Sequence, residues 1–205
     1  MKKISVLIFL LSFNIGFSQI ISYNFTTASS AFAYNASSPT VLHAASVDDV
    51  MAASTAIGFT FQFGCVNYTT FQASSNGFLC LGTTAAGSNA TNNLTSSSDR
   101  PIIAPLWDDL KTGTGGNVNY KLTGVSPNRI LTVEWKQMQW YYSATPWAIS
   151  FQIKLYETTD RIEFLYDNTG AAPTSASASI GLGGATSGDY YSLDANGATP
   201  VPSNE

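Results

Sequence analysis

Ile102-Ile103-Ala104-Pro105-Leu106-Trp107-Asp108-Asp109-Leu110 governs how this chain is read. A short apolar run ended by two carboxylates is the pattern of a buried strand that surfaces at its end. The stretches on both sides read as its strand partners. Upstream, Ile57, Phe59, Phe61 and Phe63 alternate with Gly58, Thr60 and Gln62, which marks a strand with one face in a core. Gly64–Asn67 turns the chain into a strand over Tyr68–Ala73. Ser74-Ser75-Asn76-Gly77 is a hairpin signal, because Asn-Gly accepts positive φ at both central turn positions. Phe78–Gly82 is the returning arm.

Downstream, Lys111–Asn117 reads as a glycine-rich turn and Val118–Leu122 as a short strand. Arg129–Tyr142 reads as a long strand, with Leu131, Val133 and Trp135 facing one way. Ser143–Pro146 turns the chain into Trp147–Tyr156, where Trp147, Ile149, Phe151, Ile153 and Leu155 alternate with polar residues. Arg161–Tyr166, Ser179–Gly183 and Tyr190–Leu193 complete the series, and Gln19–Thr27 reads as a first strand. Short strands with frequent turns predict an all-β fold, an antiparallel β-sandwich of jelly-roll-like type.

The N-terminus, Met1-Lys2-Lys3 followed by Ile4–Leu11, has the charged and apolar regions of a secretory leader, with Gly16 and Ser18 at the small-residue positions of a cut before Gln19. Residues 1–18 are therefore expected to be removed, residues 19–198 to form one sandwich domain, and 199–205 to be a linker or a cut end. Losing Lys2 and Lys3 takes the formal net charge from −4 to −6. That acidity, with no basic patch, argues against nucleic acid, whose phosphates demand lysine and arginine. No later segment is long and apolar enough to insert in a membrane. In an oxidising compartment Cys65 and Cys80 are expected to pair. Closing a loop of about 15 residues would contribute on the order of 3 kcal/mol.

Candidate chemistry is sparse. Adjacent Asp108 and Asp109 point to opposite faces of a strand and cannot act as a facing pair unless the backbone bends. Neither Glu134 nor Glu157 is picked out as a partner by spacing. His43 is the lone histidine, and no nucleophile–base–orienter set is visible, so no enzyme is expected. Asp108 or Asp109, with Asn76 or the Gly113–Asn117 loop, can supply hard oxygen ligands for calcium; the alternative is one Asp capping turn amides and the other solvated. Trp140, Tyr141, Tyr142 and Trp147 flank one hairpin. They read either as a platform for sugar rings or protein partners, or as a core that extends to the hairpin end. Asn24, Asn35, Asn67, Asn89 and Asn93 begin glycosylation sequons, of little weight in a chain so rich in Asn, Ser and Thr.

Several phrases, taken in order, resemble one family: Phe59–Phe63, Ser74–Leu79, Ile103–Leu110, Asn128–Trp135, Phe151–Glu157, Arg161–Tyr166 and Ser179–Leu182. They resemble the nidogen-type extracellular β domain, and still more the N-terminal module of large secreted bacterial surface proteins that carry fibronectin type III repeats and a type IX secretion tail. The resemblance covers about Ile57–Leu193. It implies a β-sandwich in an extracellular, adhesive or matrix-associated protein, and it carries over no catalytic residue. The expected function is a non-enzymatic recognition, adhesion or structural module that meets an extracellular protein or glycan. The alternative is a carbohydrate-binding accessory domain of a secreted hydrolase.

Overall fold

The computed structural model describes residues 20–83, 87–95, 98–143, 147–167, 169–171 and 177–193. The expected leader and the C-terminal linker lie outside the described residues. After a 3-10 turn at Ile20–Ser22 come eleven strands: β1 (Thr40–His43), β2 (Thr55–Phe63), β3 (Val66–Ala73), β4 (Leu79–Leu81), β5 (Ile102–Trp107), β6 (Lys111–Thr123), β7 (Ile130–Gln139), β8 (Ile149–Tyr156), β9 (Ile162–Asp167), β10 (Ser179–Gly183) and β11 (Tyr190–Ser192). They form two antiparallel sheets. One has the order β1-β6-β7-β8-β9, the other β11-β10-β5-β4-β3-β2.

Alternation decides which side chains meet between the sheets. Ile57, Phe59, Phe61 and Phe63 of β2 face Leu131, Val133 and Trp135 of β7 and Phe151, Ile153 and Leu155 of β8 within one core. Trp135 stacks on Phe151 with ring centroids 5.2 Å apart. β5 is buried along its whole length. Ile103 and Leu106 join the main core, while Ile102, Ala104 and Trp107 face a second cluster with Phe78, Cys80 and Leu94 on the sheet's outer side. That two-sided burial is why the stretch is apolar without alternation. Pro105 sits where the β5–β10 register shifts, between Ala104 and Trp107, so its missing N–H is taken from an interrupted part of the ladder.

Three expectations are corrected. Of the expected first strand, the described residues 20–27 form the 3-10 turn and a segment that belongs to no strand. Lys111–Asn117 is strand rather than turn. Its glycines serve close approach, since a Cβ on Gly113 would meet Gln137 O at 2.6 Å and one on Gly116 would meet Lys136 O at 2.5 Å. The β6–β7 register shifts between Thr112 and Asn117, which is where these contacts fall. Finally, Cys65 and Cys80 are free thiols, the first exposed in the β2–β3 turn and the second buried. Cys80 pairs with Gln72 in the β3–β4 ladder. Cys65 lies seven residues further along, about 23 Å of extended chain, far beyond the roughly 7 Å between Cα atoms that a disulfide tolerates.

The Ser74–Gly77 hairpin also departs from the expected turn. Gly77 has φ +83°, but Asn76 is not left-handed. Gly77 N–H donates to Ser74 O at 3.3 Å and Ser74 N–H to Phe78 O at 2.9 Å, the pattern of a tight turn closed by a glycine bulge. Unusually for a turn, Ser74, Ser75 and Asn76 are fully buried. Every polar group there needs a partner. Trp135 Nε1 donates to Ser74 O at 2.8 Å, across from the other sheet. Ser75 exchanges bonds with Val50: Ser75 N–H to Val50 O at 2.9 Å, and Val50 N–H to Ser75 Oγ at 3.0 Å.

β2 is an edge strand held at two points by the ends of the opposite sheet. Arg129 Nη1 donates to Gly58 O at 2.5 Å, and Gln62 N–H donates to Asp160 Oδ1 at 2.8 Å.

Two measurements check this architecture. Thiol titration of the denatured, unreduced chain should find two free thiols, and in the native chain only that of Cys65 should react. Gly77→Ala destabilises the fold by about 3 kcal/mol in chemical denaturation, because the new Cβ would lie 2.0 Å from Leu106 O at a left-handed position.

Candidate functional site

The buried turn assembles a cluster that local sequence spacing does not foreshadow. Asn76 Oδ1 accepts from Leu110 N–H at 3.1 Å, while its Nδ2 donates to Asp49 Oδ1 at 2.8 Å. Asp108 N–H donates to Asn76 O at 3.2 Å. One side chain thus joins the end of β5 to the loop after β1. That loop is fixed from β6 as well: Thr112 Oγ1 donates to Ala44 O at 2.8 Å and accepts from Val47 N–H at 2.7 Å. The backbones of Asp48 and Lys111 form an isolated antiparallel β-bridge. The result is a trio, Asp48, Asp49 and Asp109, whose carboxylate oxygens lie within 4.8 Å of one another.

The electrostatics follow from the geometry. Partial burial pushes the Asp109 carboxyl above the ordinary carboxylate range, and the charges of Asp49, Asp48 and Asp108 push it further. Burial and Asp49 raise Asp48, against the pull of Lys111. Asp48 Oδ1 is buried without a hydrogen-bond partner. Three hard carboxylate oxygens within 4.8 Å of one another make a donor set suited to a hard cation such as calcium, which prefers oxygen.

The expected ligands are only partly brought here. Asp109 is in the trio. Asp108 turns the other way, accepting Ser177 N–H at 3.0 Å on Oδ2 and Ser177 Oγ–H at 3.0 Å on Oδ1. It acts as the turn-capping carboxylate of the sequence alternative. Asn76 presents its amide nitrogen, not its oxygen, to the cluster, and the Leu110 N–H fixes that orientation. The Gly113–Asn117 stretch belongs to β6 and pairs around its bulge with β7. Asp48 and Asp49 are adjacent in the chain, but about sixty residues separate them from Asp109.

The aromatic hairpin splits. Trp140 is buried in the main core, with Nε1 lacking a partner. Trp147 is half-buried against Gly170, where a Cβ would come 2.7 Å from its ring. Tyr141 and Tyr142 are exposed, 49% and 46% respectively, with ring centroids 4.4 Å apart. Trp140 thus extends the core to the hairpin end, while Tyr141 and Tyr142 face outward. Residues 144–146 at its tip lie outside the described residues. The Tyr141 phenol is raised chiefly by its hydrogen bond to Tyr142, and Asp109 is close enough to add to the shift. Lys111 pairs with Gln139 in the β6–β7 ladder, so Asp109 and Tyr141, each two residues beyond that pair, lie at the same end of the sheet.

The remaining titratable candidates are engaged elsewhere. Glu157 pairs with Arg129 at 2.5 Å, which holds its carboxyl down to about 2. Glu134 is buried among Asn35, Asn119 and Gln152. His43 is buried, with Nε2 at 2.9 Å from Ala73 O.

The raised Asp109 carboxyl has a definite sign. The folded state holds its proton more tightly than the unfolded chain does. Its charge therefore costs stability at neutral pH, and that cost is relieved as the pH falls through the folded value toward about 4. Asp109→Asn should raise Tm at pH 7 in the presence of a chelator, and the difference from wild type should vanish on acidification to about pH 4. Thermal melts across that range check it.

No curated protein and no solved structure matches the chain. No helix among the described residues is long and apolar enough to cross a membrane. The NIDO-related family model matches residues 22–205, nearly the whole chain, and it covers every strand described above. This chain belongs to the NIDO-related family, a nidogen-like β-sandwich whose membership marks it as an extracellular module.

Proposed function

We propose that this chain is a non-enzymatic recognition and adhesion module of a secreted bacterial surface protein, and that it docks an extracellular protein through the exposed Tyr141–Tyr142 pair and the Asp48, Asp49, Asp109 trio. The observation that carries the reading is that two large exposed rings and a cluster of three carboxylates lie at the same end of the five-stranded sheet. Exposed aromatics anchor interfaces, because they bury much area at low entropic cost. Carboxylates around them select lysine- or arginine-bearing partners, which also stack on tyrosine faces. Net acidity adds a long-range attraction for basic surfaces.

The same rings leave a second reading open, a carbohydrate-binding accessory domain, since sugar rings stack on exposed tyrosines. One experiment addresses both. Beads coated with the chain are scored for adhesion to extracellular matrix protein, in parallel with a glycan array. Tyr141→Ala/Tyr142→Ala should lower matrix adhesion at least about tenfold, as expected for an interface anchor, while Tm stays unchanged, and rising salt should weaken adhesion. Glycan binding that is lost in Trp147→Ala, with matrix adhesion unaffected by the tyrosine variant, would favour the accessory-domain reading instead.

A further inference from the structure

The segment before β1 is bound in an unusual way. Residues Ile20–Ala36 lie against the body, yet among the described residues no sheet ladder includes one before Thr40. Only Ile20 among the arm's described side chains is fully buried, and its N–H donates to Asp189 Oδ1 at 3.1 Å. Tyr23 meets Phe63 and Phe25 meets Tyr191 at the rim of the core.

Further along, the arm crosses the outer face of the five-stranded sheet. The face beneath it is polar. Cross-strand pairing sets Asn119 beside Glu134 and Glu134 beside Gln152. The arm is held there by side chains: Asn35 N–H to Glu134 Oε2 at 2.8 Å, Asn35 Nδ2 to Asn119 Oδ1 at 2.9 Å, and Gln152 Nε2 to Ala33 O at 2.8 Å. Tyr34 Oη donates to Asp167 Oδ2 at 2.6 Å, and Lys121 Nζ to Ala36 O at 2.5 Å. Glu134 is 1% exposed, so this face needs the arm; without it, a buried carboxylate loses partners.

The arm joins the body through Ser37-Ser38-Pro39. Ser37 has φ +58° and Ser38 φ +61°. Two consecutive non-glycine residues in the left-handed region are strained. Ser38 also precedes a proline, which favours an extended conformation there. The bend that folds the arm back onto its own sheet is therefore costly, and straightening it would relieve both residues. A strained hinge, an arm without ladder bonds and a face that must be covered are together the conditions for exchange of an element between identical chains.

We propose that the arm Ile20–Ala36 exchanges between two copies of this chain, each arm straightening at Ser37–Ser38 to lie on the five-stranded sheet of the other. The partner is a second copy because the arm's own bonds to Glu134, Asn119, Gln152 and Asp167 can be made identically in trans. The reciprocal contact closes with two-fold symmetry. Each dimer keeps every arm–sheet bond of two monomers and loses four strained residues. The inference does not depend on what the tyrosine pair recognises.

Sedimentation of the purified chain over a concentration series tests it, together with Ser37→Gly/Ser38→Gly. Glycine adopts positive φ freely, so this variant stabilises the folded-back arm. The chain should show a monomer–dimer equilibrium, and the variant should dimerise about tenfold more weakly or less still. A second measurement identifies the contact. In a Cys65→Ser background, one tagged copy carries Ala36→Cys and another carries Lys121→Cys. A short bis-maleimide should join the two differently tagged copies when they are mixed at high concentration. A chain that stays monomeric throughout, a dimer indifferent to the glycine pair, or a mixture that yields no cross-linked heterodimer would each overturn the proposal.

Discussion

A turn with no water around it is the constraint on which the rest of the molecule depends. Ser74, Ser75 and Asn76 connect two strands in the way that exposed loop residues do, yet they lie inside. An unmet backbone or amide group in such a place costs about 1–3 kcal/mol, so the surrounding chain must deliver partners to each. Trp135 reaches across from the opposite sheet to Ser74 O. The loop after β1 closes on Ser75 through Val50. The end of β5 closes on Asn76 through Leu110. Each of these bonds fixes one segment relative to another that is distant in sequence. Gly77 completes the arrangement, because no side chain fits against Leu106 O.

The acidic trio is a by-product of that requirement. Asn76 must bond on both sides, and its two neighbours carry Asp49 and Asp109 with them. Cross-sheet satisfaction of a turn thus concentrates negative charge at one end of the sandwich, the end that also carries the two outward-facing tyrosines of the β7–β8 hairpin. The rings could not both have turned inward. Trp140 fills the inward position there, and the chain leaves the ladder immediately after Gln139.

Much of the fold was legible from periodicity. β2 and β8 alternate apolar with other residues, β7 does so from Leu131 to Trp135, and β5 is apolar throughout because both of its faces are covered. What escaped had physical reasons. The glycines of Lys111–Asn117 looked like a turn, but they allow β7 carbonyls to approach at a bulge. The apolar alternation of Ile21, Tyr23 and Phe25 resembled a strand, but the segment finds no ladder partner. It is held by ring contacts and by side-chain bonds. Export chemistry suggested a disulfide; strand register places Cys65 and Cys80 too far apart to form one. Asp48 and Asp49 gave no local sign of meeting Asp109, since the contact is made through the amide of Asn76, which neither acidic pair resembles in sequence.

Arg129 and Asp160 also deny something to other molecules. A border strand such as β2 offers free amide and carbonyl groups that a foreign strand could adopt as a template. Here the Gly58 carbonyl and the Gln62 amide are already occupied by side chains from the opposite sheet. An incoming chain would find the hydrogen-bonding register broken at both points, four residues apart. Crowded copies of the protein are thereby kept from zipping along this border into fibrils, although β2 is the most phenylalanine-rich strand in the molecule.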